Sequence, residues 1–556
     1  MSAEDKLGKG ISRRSFIKGA VIGTAGIASA SMLAGCSPKE SGNQQSSAGE
    51  NGAKKYSWET PPDPIPDSEI KETVEADVVV VGAGLSGLSA ATRAAEEGAK
   101  VVVIEKGKSW TGRGGHFGVV ESRVMREASI VNDKYQLARE WISRCGNRVR
   151  EELVWLFMNQ SGPAMDWFLD KAEAAGLKVG LLDSYYKGEI YREYPGTHMF
   201  FGGPMMKEGK EPGQDVSLVL YNEATKLGVT FYFETPAEQL VKEGDRVTGV
   251  IAKAADGYKK FKAAKGVILA TGDIGGDKEM CEVFAPIALK SNGSQYTPVG
   301  QNTGDGHKMA MWVGASMEDA PFPTTIHPQA FAWLSYFFLF VNQEGKRFMN
   351  EDTWPQAKSI AAMNQPGKGP WAYSIFDSKW PEEVKASLPY GGSLFWDSMG
   401  RLIGQEWTPD ADKKTIQKYV EEGKVGWMAD TLEELAEKIE VPVDNFVATV
   451  KRYNELARAK KDVDFGKRPE LLTTIEKPPF YALKFGGALL VVNGGVNVDN
   501  KLRVLDKNYK PIPGLYAVGN TAGGLYGVDY PTIIPGNSHG RALTWGYVAG
   551  KTVLEG

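Results

Sequence analysis

The stretch from Asp77 to Lys106 constrains this chain more than any other, because it spells a strand, a glycine turn, a helix and a second strand in one continuous run. Asp77-Val-Val-Val-Val81 is a short apolar run of the kind that forms a buried parallel strand. Gly82-Ala-Gly84-Leu-Ser86-Gly87 follows at once. Without side chains at three of these positions the backbone can turn tightly, approach a pyrophosphate at a helix N-terminus and pack that helix on the strand. The helix runs through Leu85, Leu88, Ala91 and Ala95, and Lys100-Val-Val-Val-Ile104 after Gly98 is the second strand. Glu105 then stands where a carboxylate takes the two hydroxyls of an adenosine ribose. The unit therefore reads as a dinucleotide site.

The rest of the composition narrows the partners. The chain has 556 residues, 42% of them hydrophobic, enough for two or three domains with a sizeable core. A formal charge of -4 supplies no basic footprint, which argues against nucleic acid. Cys36, Cys145 and Cys281 are too few for a disulfide framework, and no CxxC or CxxCH occurs for zinc, an iron-sulfur cluster or covalent haem. His116, His198, His307, His327 and His539 lack metal-ligand spacing, so no metal is expected.

The N-terminus reads as an address. Ser12-Arg13-Arg14-Ser15-Phe16-Ile17-Lys18 resembles the twin-arginine export signal, and the Gly/Ala/Ser-rich stretch behind it is too short and too weakly apolar to span a membrane. Leu33-Ala34-Gly35-Cys36 resembles the lipoprotein processing box, the alternative being an ordinary cleavage point near Cys36. Residues 1–35 are thus expected to be a signal and 36–71 a disordered tether and linker. Lipid on Cys36 would hold the mature protein extracytoplasmically against a membrane face. Twin-arginine export carries folded proteins, which suits a chain that captures a large cofactor first.

Four further segments extend the reading. Lys265-Gly-Val-Ile-Leu-Ala-Thr271-Gly272 and Ile512-Pro-Gly-Leu-Tyr-Ala-Val-Gly519-Asn520 are strands ending in glycine turns. Thr303-Gly304-Asp305-Gly306 precedes a helix-like stretch, and Val341-Asn-Gln-Glu-Gly345-Lys-Arg347-Phe-Met-Asn350-Glu351 closes the set. Together with the first turn they resemble, in order, the flavoprotein family of fumarate reductase, succinate dehydrogenase and 3-ketosteroid dehydrogenase. The resemblance implies an α/β fold: a Rossmann-like FAD-binding domain of glutathione-reductase type over 72–320 and 485–556, with an inserted α+β capping domain at 321–484. Helical patterning at Asp430–Ile439, capped by Asp430 or Thr431, and at Val443–Tyr453 suits that cap.

The resemblance also implies which residues meet FAD. They are Gly82, Gly84, Ser86, Gly87, Glu105, Lys106, Gly114, Gly115, His116, Thr271, Gly272, Asp305, Gly519, Asn520, Gly536, Ser538 and His539. His116 falls where one branch of the family bonds covalently to the flavin, but a noncovalent contact is expected here. The helix that follows Gly536-Asn-Ser-His539 corresponds to the one whose N-terminus faces the flavin pyrimidine, where it favours negative charge on the reduced ring.

In fumarate reductases a Gly-x-His-Gly loop, a nearby arginine and a cap arginine hold the dicarboxylate and protonate it. This chain carries Tyr526 in the histidine position, Asp529 or Tyr530 near the first arginine and Pro355 at the second. Gly519-Asn-Thr-Ala522, Tyr530-Pro531 and Pro535-Gly536 resemble the ketosteroid dehydrogenases more, although Thr532-Ile-Ile534 lengthens the turn. There a tyrosine hydroxyl binds the ketone oxygen, a role that falls to Tyr530 or is replaced by simple loop packing. Tyr526 or Arg541 is the expected proton donor, Arg541 alternatively a substrate clamp or a helix residue facing away from the site, and His327 a substrate-side residue. Phe331, Trp333, Tyr336, Phe337, Phe338 and Phe340, with Trp354, are candidate walls of an apolar pocket, with at least half of them expected in the core of the cap. The expected activity is reduction of a C=C bond conjugated to a carbonyl, in an aromatic or steroid-like enone or enoate, with electrons from a membrane quinol pathway through a separate cytochrome. The alternatives are the reverse dehydrogenation and a flavin electron-transfer lipoprotein.

Overall fold

The computed structural model describes residues 56–182, 186–188, 192–296, 298–328, 337–392, 396–402, 404 and 406–556. The signal, Cys36 and most of the tether lie outside these residues, as do Phe331, Trp333 and Tyr336.

The apolar runs form the centre of an eight-stranded sheet. Strand β1 (Ile70–Val81) lies between β2 (Val101–Ile104) and β9 (Gly257–Leu269), parallel to both, with Val81 opposite Ile104 and Leu269. β6 (Thr230–Tyr232) extends the sheet beyond β2, and β16 (Pro511–Ala517) joins β9 on the other side, followed by β15 (Arg503–Leu505). β7 (Ala237–Glu243) and β8 (Arg246–Ala254) fold as an antiparallel hairpin onto the first half of β9. Val78 to Val81 and Val101 to Ile104 are buried on both faces, which explains why these strands read as unbroken apolar runs and not as alternation. Helix Leu85–Glu96 covers one face and packs on the C-terminal helix Asn537–Thr552, where the Ser89 hydroxyl donates to the Leu543 carbonyl at 2.8 Å. A small sheet of β3 (His116–Gly118), β5 (Thr197–Phe201) and β4 (Lys178–Leu182) stands beside this layer.

The second body is a five-stranded sheet: β10 (Thr324–Pro328), β14 (Phe480–Val492), β12 (Trp371–Asp377) and β11 (Leu339–Val341), with β13 (Gly426–Ala429) also on β14. Helices Leu432–Lys438 and Val443–Arg458 pack on it through Leu435, Phe446, Val450 and Tyr453. Thr431 is the N-cap of the first, its hydroxyl accepting from the Glu434 amide at 3.2 Å. The long β14 pairs with β12 and β13 at its start and with β10 at its end, so residues 484 and 485 fall inside one strand. Phe337, Phe338 and Phe340 lie in the core of this body, with Phe338 stacked on Phe376 at 5.0 Å and Phe340 against Phe485 at 4.4 Å. These three therefore belong to the share of the aromatic run expected in the cap core. Among the described residues no helix is long and apolar enough to cross a membrane.

Candidate active site

β1, β2, β9 and β16 all end at the same edge of the large sheet, and a cavity of about 690 Å³ opens there. Crevices of this kind, at the carboxyl ends of parallel strands, are where ligands bind in open α/β folds. Every expected cofactor-side residue except Gly87 borders this cavity. Gly87 instead holds the turn closed: a Cβ there would stand 2.0 Å from the Gly82 carbonyl oxygen. Gly84 faces the open space, with nothing nearer to an added Cβ than Thr111 Oγ1 at 3.7 Å.

At this nucleotide end both oxygens of Glu105 accept backbone amides, from Ala83 at 2.8 Å and Gly107 at 2.7 Å. Lys106 Nζ bridges Asp305 at 2.8 Å and Thr303 Oγ1 at 3.0 Å. The Thr271 hydroxyl receives the Gly306 amide at 3.1 Å, tying β9 to the start of helix Asp305–Trp312. Arg113, which sequence reasoning passed over inside its glycine turn, also lines the cavity, with its guanidinium 3.6 Å from the centre of the Tyr296 ring.

The far end is assembled from separate segments: Thr325 and His327 on β10, Pro355 and Gln356 at the start of helix Pro355–Met363, Tyr530 and Thr532 in a loop, and Ser538 and His539 on the C-terminal helix. Gly114, at φ 65°, lies so close to His539 that a Cβ would sit 2.2 Å from its ring. His539 donates its Nδ1 hydrogen to the His116 carbonyl at 3.0 Å, which leaves Nε2 as an acceptor. Burial lowers His327 and His539 to about 4, and lowers His116 to about 3 with help from the other two rings. All three are neutral at ordinary pH. The Tyr530 hydroxyl accepts the Ser538 amide at 3.3 Å, so its own hydrogen remains to be donated, and burial pushes its pKa up to about 12. It is a hydrogen-bond donor that keeps its proton.

Gln356 was not foreseen here. Its Oε1 accepts the Ile326 amide at 2.9 Å and its amide nitrogen donates to Asp529. The only sequence hint was its place beside Pro355, in the family's arginine region.

Two expected residues do not reach the cavity. Tyr526 is fully buried, stacked on Trp141 at 5.8 Å, and burial raises its pKa well above 10, the opposite of what an acid catalyst needs. Arg541 is also fully buried, its guanidinium 4.7 Å from the Tyr526 ring and hydrogen-bonded to the Asn520 side chain and, at 3.4 Å, the Asn493 carbonyl. It fixes Asn520, which does border the cavity, and is no substrate clamp.

The glycine cradle, the acid at the end of β2 and the helix N-terminus at the far end fit FAD. The comparisons with known proteins agree. A family model described as an FAD binding domain matches residues 77–532. A fumarate reductase (cytochrome) of Shewanella frigidimarina is 29% identical over 86% of this chain and 77% of its own length. A vinyl phenol reductase of Lactiplantibacillus plantarum is 26% identical over 86% and 96%, and a 3-oxosteroid 1-dehydrogenase of Mycolicibacterium smegmatis 28% over 85% and 96%. The chain spans about half, 48%, of the NADH:fumarate oxidoreductase of Klebsiella pneumoniae, to which it is 26% identical. The open conformation of a flavocytochrome c3 fumarate reductase superposes with a TM-score of 0.66 at 25% identity, covering 90% of this chain and 82% of that one. The chain belongs to the FAD-binding-domain family and is a flavoprotein oxidoreductase.

Proposed function

We propose that this protein reduces an uncharged C=C bond conjugated to a carbonyl. One observation carries the reading: among the described residues lining the cavity the only cations are Lys106 and Arg113, and neither lies in the segments that form the far end. Lys106 is engaged by Asp305 and Arg113 by Tyr296. A dicarboxylate would lose its hydration there without gaining the bidentate arginine contacts that compensate for it.

FAD, when bound and reduced, supplies a hydride equivalent to the β-carbon of the substrate. Tyr530 meets the carbonyl oxygen and stabilises the charge that develops on it, a donor aimed at the transition state and fixed by its contact with the Ser538 amide. The Tyr526 ring, edge-on to Tyr530 at 5.3 Å, holds that orientation. The neutral rings of His327 and His539 shape the site without adding charge. The vinyl phenol reductase relative, whose name gives an uncharged olefin that has no carbonyl, supports the uncharged part of this choice, and the steroid dehydrogenase relative keeps the reverse direction as the second reading. Noncovalent FAD, the cap boundaries at 321 and 484, export on the twin-arginine signal, a lipid on Cys36 and electrons from a membrane quinol pathway through a separate cytochrome complete the proposal.

The test is anaerobic. Holoenzyme reduced with a low-potential dye is mixed with uncharged enones and vinyl phenols, with a doubly anionic olefin, and with quinones. Rapid flavin reoxidation by uncharged olefins supports the reading; faster reoxidation by the dianion overturns it. Tyr530→Phe is expected to slow olefin turnover by about 10²- to 10³-fold while leaving reduction by the dye unchanged.

A further inference from the structure

With Tyr526 and Arg541 turned into the core, no residue yet accounts for the proton that the substrate carbon must gain. Behind Pro355 lies a second cavity of about 20 Å³, bordered by Pro355 itself, Glu351, Asp352, Lys358 and Tyr186. That volume admits one water. Pro355 also borders the large cavity, so a single residue separates the two spaces.

Lys358 sits one turn after Pro355 on helix Pro355–Met363. Side chains on a helix lean toward its N-terminus, and positions three apart share a face, so Lys358 reaches back over the turn that Pro355 begins. It is only 4% exposed. Around it, Arg347 holds Glu351 at 2.7 Å and Asp462 at 2.8 Å, and Arg468 holds Asp352. Lys467, fully buried, lies 3.5 Å from Glu351 and donates to the Tyr453 hydroxyl at 2.7 Å. Among the described residues, Arg347, Lys358, Lys467 and Arg468 thus lie in one largely buried cluster with Glu351, Asp352, Asp462 and Glu383. Burial lowers Lys358 to about 7, opposed by Asp352 and Glu351 and reinforced by Lys467 and Arg468. Lys467 is lowered to about 8, but it is tied to Tyr453 and does not border the small cavity. A group that gives up a proton near neutral pH, one water away from the substrate space, suits general-acid work far better than an arginine would.

We propose that Lys358, acting through the water-sized cavity behind Pro355, supplies the proton that the substrate carbon takes up. The inference rests on the olefin-reductase reading. Two electrons and the first hydrogen come from reduced flavin to the β-carbon. An N–H bond of the Lys358 ammonium then breaks as a C–H bond forms at the α-carbon, the water passing the proton on. The amine is left neutral and recovers its proton from solvent.

The experiment uses dye-reduced holoenzyme, rapid mixing with an uncharged enone across pH 5 to 10, and the variants Lys358→Met and Lys358→Arg. Wild-type reoxidation is expected to fall as pH rises through about 7, because the ammonium is lost. Lys358→Met should lose at least about 10²-fold and that alkaline limb with it. Lys358→Arg should recover part of the rate with the limb moved to higher pH. Reoxidation by ferricyanide, which needs no carbon protonation, should be the same in all three. A Met variant with the wild-type enone rate and limb, or an Arg variant whose limb stays put, overturns the role of Lys358 alone. Wild-type enzyme that no olefin reoxidises brings down the reductase reading as well. Thermal unfolding adds a readout independent of turnover. A lysine whose folded pKa is depressed costs stability below that pKa, and the cost fades as pH rises toward its unfolded value. The melting temperature of Lys358→Met should therefore exceed that of wild type most below pH 7, with the gap closing toward pH 10; a gap that ignores pH contradicts the buried ammonium.

Discussion

The two ends of the large cavity are built differently. The nucleotide end centres on one local unit, the turn from Gly82 to Gly87 with Glu105 held by the amides of Ala83 and Gly107, braced from outside by the Lys106–Asp305 pair. The far end is made by side chains that meet from β10, helix Pro355–Met363, the 530–532 loop and the C-terminal helix. The first end works through positions that have no side chain, and its geometry tolerates almost no change. The second works through donors and neutral rings, so its chemistry changes with a few residues while the fold around it stays the same. Relatives named for fumarate, vinyl phenol and oxosteroid chemistry match 85% or 86% of this chain, as expected if one fold carries different substrate choices.

The sharpest way to break the contrast is Gly87→Val. A Cβ at this position meets the Gly82 carbonyl oxygen at 2.0 Å and the Ala270 Cβ at 3.1 Å, both parts of packed structure and not flexible tips. The turn must open, and the expected outcome is complete loss of bound flavin, read as protein purified without flavin absorbance. A yellow, fully loaded Gly87→Val protein would mean that the nucleotide end is as forgiving as the other.

That asymmetry also governs what the sequence disclosed. The strands, the glycine turn, Glu105 and the Thr431 cap were legible because each depends on neighbours in the chain, and local periodicity records such relations. Tyr526 and Arg541 were misplaced because the sequence gives their order in a loop and a helix but not the rotation that turns them inward onto Trp141 and Asn520. Phe337, Phe338 and Phe340 went to the cap core for the same reason: an aromatic run has no sign that separates a wall from an interior. Gln356 and Lys358 were missed because their meaning depends on Pro355 lying between two cavities, a relation that only the folded chain creates.

The neutrality of the far end can be tested by pH. His116, His327 and His539 have folded pKa values of about 3 to 4, depressed by burial from 6.5. Depressed imidazoles stay uncharged in the folded state while the unfolded chain takes up protons, so they contribute stability above pH 6.5 that is lost as pH falls toward 4. The melting temperature of the holoenzyme should drop over that window, as the unfolding free energy falls by no more than about 1.4 kcal/mol per histidine per pH unit. His327→Asn should flatten part of the slope. Over the same window the affinity for an uncharged enone, measured by reoxidation of reduced enzyme, should stay level. An affinity that follows a single ionisation near 6.5 would put a charged imidazole against the substrate.

The smallest expected effect concerns Tyr526, and it discriminates because it is small. In the fumarate-type arrangement this position carries a group that touches substrate, and removing its hydrogen-bonding atom would be costly. Here the ring lies between Trp141 and the Arg541 guanidinium, edge-on to Tyr530, and borders no part of the cavity. Tyr526→Phe keeps the stacking, the cation–π contact and the volume, and removes only a buried hydroxyl that has no hydrogen-bond partner among the described residues. Olefin turnover should change by less than about threefold, and stability should not fall, because removing an unpartnered buried hydroxyl forfeits no hydrogen bond. A loss comparable to that of Tyr530→Phe would place Tyr526 among the reacting groups, and the far end would then be built on the fumarate plan after all.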